Sequence, residues 1–188
     1  YKRQGIGDVP ANVLILLDKS GSMGWRMSGG SSGINLPYDT TTDANGNLYV
    51  AQYASYGIKK LEYSNAKVDA SWGSNGTAKK GNCQTYYPYN IESAGGVLYA
   101  IIWSNRRIVK IRESDGECLG YISLGSAYPY NLSLFQNSAG RFIGVGTSRG
   151  YYLYNVNTGS ARNCNVNSNL RYSYMVGAAD KNFSYMYS

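Results

Sequence analysis

Two strings in this sequence have residue types and spacing suited to chemistry. Asp18-Lys19-Ser20-Gly21-Ser22-Met23-Gly24 brings one carboxylate and two hydroxyls together in a loop relieved by glycine. Such hard oxygen donors suit Mg²⁺ or another hard divalent cation. Asp43-Ala44-Asn45-Gly46-Asn47 places oxygen-bearing side chains at alternate positions, as a Ca²⁺ loop does. It lacks the downstream bidentate Glu, and the Asn-Gly step makes a hairpin turn the better reading. The chain contains no histidine. That excludes imidazole-dependent triads, the commonest general base, and zinc sites built on His. No catalytic constellation can be assembled from what is left, and the expectation is a non-catalytic chain.

The elements that must position these loops follow from the flanking residues. Val9 to Leu17 reads VPANVLILL, an apolar run that suits a central strand buried on both faces, and it ends at Asp18. The string in this strand-then-loop context resembles the metal-ion-dependent adhesion site of von Willebrand factor A domains. The resemblance implies a metal role for Asp18, Ser20 and Ser22, with a partner's acidic group completing the coordination. That family also draws a Thr and a second Asp from later loops, and neither can be placed in this sequence. After Met27, Ser28 to Gly33 reads as a Ser/Gly join, and no long amphipathic helix follows as an A domain would require.

Instead, a unit recurs. Leu36-Pro37-Tyr38-Asp39, Tyr87-Pro88-Tyr89-Asn90 and Tyr128-Pro129-Tyr130-Asn131 are versions of one phrase, and Tyr172-Ser173-Tyr174 is a weaker fourth. Each phrase leads through a glycine turn to a strand, as in Leu48-Tyr49-Val50, Val97-Leu98-Tyr99 and Phe142-Ile143. A second strand follows at Ile58–Leu61, Ile108–Ile111 and Tyr152–Tyr154, which makes Lys60 and Lys110 equivalent positions. Ser114-Asp115-Gly116 and Asn157-Thr158-Gly159 then turn the chain again. The proline in the phrase fixes φ, and its Asx residue is expected to cap the connection between units. Several short strands per unit at a period of roughly 40 to 50 residues is the grammar of propeller blades, with an all-β sandwich as the competing fold.

Composition agrees with strands and turns. Gly (23) and Tyr (20) are abundant and only 15% of the 188 residues are charged, while 43% hydrophobic residues suffice for a core. The expected fold is all-β: a partial β-propeller of three to four blades preceded by one strand and metal loop of an A domain. The corresponding division is 1–27 for the A-domain start, 28–33 for the linker, and 34–188 for an incomplete propeller. The repeat resembles NHL-type propellers. An A domain combined with a propeller resembles the PilY-type adhesins of bacterial type IV pili. That resemblance implies an extracellular adhesion or interaction module at the cell surface or pilus, whose partner carries an acidic group. Beginning at Tyr1 and ending inside a Tyr-rich stretch, the sequence reads as an interior piece of a longer protein. A propeller hydrolase or lactonase fragment and a polyanion-binding surface protein are the alternative functions.

Cys83, Cys118 and Cys164 are spaced too widely for a C-x-x-C pair. In a secreted chain Cys83 and Cys118 would form a disulfide, and in a reducing compartment all three would be buried thiols. The basic doublets Lys59-Lys60, Lys79-Lys80 and Arg106-Arg107 could line one face against a glycan or other polyanion, or could simply protect solvated strand edges. No nucleic-acid motif accompanies them. The tyrosines read as blade packing rather than a ligand platform. Ser64-Asn65-Ala66-Lys67 matches the S-x-x-K string of penicillin-binding proteins without its S-D-N and K-T-G partners, and carries nothing. No apolar run reaches the roughly 20 residues of a membrane-spanning helix.

Overall fold

The computed structural model describes residues 34, 36–53, 57–62, 65–137 and 140–163, with two short strands further on. Asp18, Ser20 and Ser22, the linker at 28–33, the Tyr172-Ser173-Tyr174 phrase and Cys164 lie outside the described residues.

The described residues are all-β, with no helix among them, and none of their segments could cross a membrane as an apolar helix. Three antiparallel sheets follow one another along the chain. The first holds β1 (Pro37–Thr42), β2 (Leu48–Gln52) and β3 (Gly57–Leu61), paired in chain order. β4 (Pro88–Ala94), β5 (Val97–Ile102), β6 (Arg107–Arg112) and β7 (Cys118–Ser123) make the second. β8 (Pro129–Asn137), β9 (Gly140–Thr147), β10 (Gly150–Asn155) and β11 (Ala161–Asn163) make the third, again in order. A small separate pair joins β12 (Ala178–Ala179) to β13 (Met186–Tyr187). The opening strands of successive sheets lie side by side, β1 next to β4 and β4 next to β8, as the inner strands of propeller-like blades do.

The repeat holds at the level of register. Tyr49 faces Lys60 across β2 and β3, and Tyr99 faces Lys110 across β5 and β6, so the two lysines occupy one blade position. Pro37, Pro88 and Pro129 each pair with the last residue of the following strand, and each sheet carries a bulge at the tyrosine that follows. Proline has no N–H for the ladder, so it sits where a strand begins.

Blade-to-blade packing explains the apolar runs. Leu98, Ala100 and Ile102 of β5 pack toward the first sheet with Tyr49, Ile58 and Trp72. Tyr99 and Ile101 of the same strand pack toward the third sheet with Leu132, Ile143 and Val145. A middle blade buries both faces, and its central strand therefore reads VLYAII without a polar break. Full burial of one such Ile contributes about 2 to 3 kcal/mol.

Two features depart from the repeat. The first sheet has no regular fourth strand; residues 67–78 run along the outer edge of β3 through isolated bridges Leu61 to Val68 and Lys59 to Thr77. This detour buries Trp72, whose Nε1 donates to the Glu113 carbonyl at 2.8 Å. It accounts for the longer spacing between the first two prolines. The second feature is a disulfide joining Cys83 to Cys118, with Cα atoms 5.8 Å apart. It ties the connection leading out of the first blade to the outer strand of the second, and a loop of this length is worth about 3 to 4 kcal/mol.

Candidate functional site

Each blade has two ends. At the entry end the inner strands β1, β4 and β8 begin and their partners finish; at the far end lie the turns that join first to second and third to fourth strands.

The far end is built for closure. The Asp43 carboxylate accepts from Asn45 N and Asn47 N at 2.9 Å each through Oδ1, from Asn47 Nδ2 at 2.7 Å through Oδ2, and from the Tyr49 hydroxyl at 3.1 Å. Burial alone would raise this carboxyl, but these donors outweigh it and hold Asp43 below its ordinary value. The loop weighed above as a Ca²⁺ site thus fills its carboxylate with its own amides, as a hairpin turn does. Burial and the Asp43 charge push the Tyr49 phenol up, so it remains a donor. Asp115 accepts from Glu117 N, and Asn155 accepts from the amides of Asn157 and Thr158, in the turns that join the third and fourth strands of the next two blades. The ion pairs Lys79–Glu117 (2.9 Å) and Arg112–Asp115 (2.9 Å) lie here, and Lys60–Asp69 (3.2 Å) lies beside it.

The Asx residue of the phrase does something other than cap its own turn. Asp39 Oδ2 accepts from the backbone N–H of Ile91 in the next blade at 3.0 Å and from Asn90 Nδ2. Asn90 Oδ1 in turn accepts from Leu132 N of the blade after it, at 2.8 Å. The expectation of a cap on the connection is therefore corrected: the bulge turns this side chain sideways, and it joins one inner strand to the next. Asn131 Oδ1 accepts instead from Gly146 N within its own sheet, at 3.1 Å. Glu92, further along β4, is raised by burial and then by the neighbouring Asp39 charge.

The entry end is aromatic. Tyr87, Tyr53, Tyr38, Tyr89, Trp103 and Tyr128 form one continuous path with ring centroids 5.4, 5.8, 4.4, 6.2 and 5.0 Å apart in that order. All but Tyr89 remain 38% to 40% exposed. The Tyr38 hydrogen bond, and then burial, push the Tyr89 phenol up to about 12, so it is a protonated donor at neutral pH. The first two blades each give one ring or two at the beginning of the inner strand and another just past the end of its neighbour, and the third gives Tyr128, so three blades contribute. The reading of tyrosines as blade packing holds for Tyr49, Tyr99 and Tyr154, which are buried. It does not hold for these. Their signal in the sequence is recurrence on either side of Pro37, Pro88 and Pro129, and just after the strands that end at Gln52 and Ile102.

The same end is cationic. Arg106 lies over the Tyr128 ring at 5.1 Å and Arg107 over Tyr121 at 4.0 Å. Arg149 stands in the equivalent turn of the third blade. The described turns here contain no Asp or Glu, whereas the far-end turns hold Asp43, Glu113, Asp115 and Glu117. The six basic residues expected on one face are thus divided. Lys60 and Lys79 are ion-paired at or beside the far end, Lys59 is inside β3, and Lys80 donates to the Tyr86 hydroxyl at 2.8 Å. Of the six, Arg106 and Arg107 belong to the aromatic end. No group of three or more His, Cys, Asp or Glu side chains that could hold a metal occurs among the described residues.

No protein-family model matches this chain, and no curated protein matches it. Among solved structures it is similar to the hydrazine synthase of Kuenenia stuttgartiensis, at TM-score 0.52 and 12% identity over 68% of this chain and 34% of that one. It is also similar to the extracellular domain of a putative hybrid two component system from B. thetaiotaomicron, at TM-score 0.48 and 23% identity over 68% of this chain and 16% of that one. The chain spans about a third or less of the length of these structures. At such identities the likeness concerns the fold.

Proposed function

We propose that this chain is a non-catalytic binding module of a cell-surface or pilus-associated protein, and that it engages its partner through the aromatic end of its blades. The observation that carries the reading is the unbroken path of six rings, five of them well exposed to water, on an end whose turns bear arginine and no carboxylate. A run of contiguous, partly exposed rings of this length marks an interaction surface, and rigid Tyr and Trp anchors beside Arg are the side chains that dominate binding surfaces. The Cys83–Cys118 disulfide supports an oxidising, extracytoplasmic setting.

The finer parts of the reading rest on the sequence. The blades are assigned to an NHL-like propeller, and the stretch before residue 28 to the start of a von Willebrand factor A domain of the kind found in PilY-type adhesins. The donor set of Asp18, Ser20 and Ser22, one carboxylate and two hydroxyls, fits a hard divalent cation such as Mg²⁺. Bound there, the cation would supply a positive contact for an acidic group of the partner. A polyanion-binding role is the second reading, favoured by Arg106 and Arg107 over their rings.

The test is adhesion of beads coated with the full chain to cell and abiotic surfaces, with soluble chain as competitor. Soluble wild-type chain should block adhesion, and the same concentration of a soluble Trp103→Ala/Tyr128→Ala variant should not. Equal blocking by both would overturn the reading.

A further inference from the structure

The aromatic end has a composition that narrows its ligand. The rings are spaced 4.4 to 6.2 Å apart along the path, neighbouring planes are inclined by 25° to 79°, and five of the six rings are partly open to solvent. A ligand that fits must be extended, with a repeating apolar face of about ring size. Arg106 and Arg107 are each laid over a ring, which holds the guanidinium plane in place and leaves its N–H edges to donate. Neither makes an ion pair among the described residues, although three other pairs form at or beside the far end. The planar fork of arginine matches a carboxylate two bonds at a time.

Resting on the binding-module reading above, we propose that the aromatic end binds a glycan chain containing uronic acid units, its sugar faces stacked along the Tyr38–Tyr89–Trp103–Tyr128 path and its carboxylates taken by Arg106 and Arg107. Charge complementarity selects an anionic chain over a neutral one. Sugars and nucleobases both offer flat faces to such rings, and the compartment separates them. The disulfide belongs to an oxidising environment, where carboxylated polysaccharides are abundant surface polyanions. Tyr hydroxyls in number also suit a ligand covered in hydroxyl groups.

The experiment is a titration of the full chain with oligogalacturonate, followed by calorimetry, beside its methyl-esterified form and oligo(dT). The ester keeps the sugar skeleton and removes the charge. Oligogalacturonate should bind, the ester about tenfold or more weaker, and oligo(dT) weaker than oligogalacturonate. Trp103→Ala should weaken binding about tenfold or more, in the range of one lost stacking contact, while Trp103→Phe retains most of it. Arg106→Gln should reduce the preference for acid over ester, and Arg106→Gln/Arg107→Gln should remove it without abolishing binding of the ester. The unfolding midpoint of each variant shows whether it is folded, and the Phe and Gln variants keep the test decisive if the Ala variant is not. Equal affinity for acid and ester overturns the role of charge. Tighter binding of oligo(dT) overturns the glycan class and leaves the binding face standing. Binding of neither polymer overturns the proposal, and adhesion that persists and still depends on Trp103 and Tyr128 then shows that the broader reading survives.

Discussion

The two ends of the blades solve the same problem of turning the chain with opposite residue choices. At the far end the left-handed backbone positions go to glycine at Gly46, Gly95, Gly96, Gly116 and Gly159, with Ala66 (φ 55°) the exception in the turn after β3. Gly95 and Gly96, both at positive φ between paired Ala94 and Val97, make the two-residue turn whose twist suits a hairpin. At the entry end Gly57, Gly125 and Gly150 share such positions with Leu36 (φ 46°), Gln84 (φ 48°), Tyr87 (φ 56°) and Arg106 (φ 50°). A residue with a Cβ costs about 1 to 2 kcal/mol there, and Leu36 and Tyr87 also precede proline, which restricts them further. The far end caps and pairs its charges; the entry end leaves rings in water and lays cations over them. Exposed aromatic surface set beside the left-handed Leu36, Tyr87 and Arg106 marks the end where function outweighs stability.

The largest effect that sharpens this contrast is expected from Asp43→Ala. It strips the acceptor from two backbone amides and Asn47 Nδ2, leaves the Tyr49 hydroxyl the Glu113 carbonyl at 3.2 Å, and should lower stability by about 2 kcal/mol in urea unfolding with adhesion unchanged. Because the Asp43 carboxyl is lowered in the fold, its contribution is present above the unfolded value of 3.8 and is lost as pH falls through the folded one. The difference between variant and wild type should therefore shrink on acidification. A constant difference would show that the turn is held by something other than the charged carboxylate.

Trp103→Ala should do the reverse, weakening ligand binding by about 1.4 kcal/mol or more while moving the unfolding midpoint less than Asp43→Ala does. A larger stability loss than that of Asp43→Ala would make the ring a structural element and erase the contrast. Arg106→Gly is the most pointed variant. It relieves a left-handed position and should stabilise the chain by about 1 kcal/mol, less the lost contact with Tyr128, while impairing recognition of anionic ligand. Stability and binding that fall together would show that no strain is held at this end.

The smallest effect is expected at the inner strand. Glu92 is raised in the fold, so its ionised form costs stability above the folded value, and the cost vanishes below the unfolded value of 4.5. Glu92→Gln should stabilise the chain slightly at neutral pH and not in acid, opposite in sign to Asp43→Ala. Thermal unfolding across that range measures both.

Much of the fold was legible because it is local. The three Pro-Tyr-Asx phrases mark the start of each inner strand, and the glycine turns mark the hairpins. The irregular stretch 67–78 was not legible, since isolated bridges along β3 have no period to read. Nor was the sideways reach of Asp39 and Asn90, which depends on a bulge and on which blade stands beside which. The aromatic path was visible only as composition. Tyr38, Tyr53, Tyr89, Trp103 and Tyr128 are far apart in sequence, and the blades bring them together; the same geometry parts the lysine doublets from Arg106-Arg107.

The account stands on the entry end being the binding face, and one side-by-side adhesion measurement addresses that directly. Beads carrying the full chain with Trp103→Ala/Tyr128→Ala would be compared with beads carrying Asp115→Ala/Glu117→Ala, both verified as folded. The account predicts that the first set loses adhesion and the second keeps it. Adhesion retained by the first set and lost by the second would place the binding face at the wrong end of the blades.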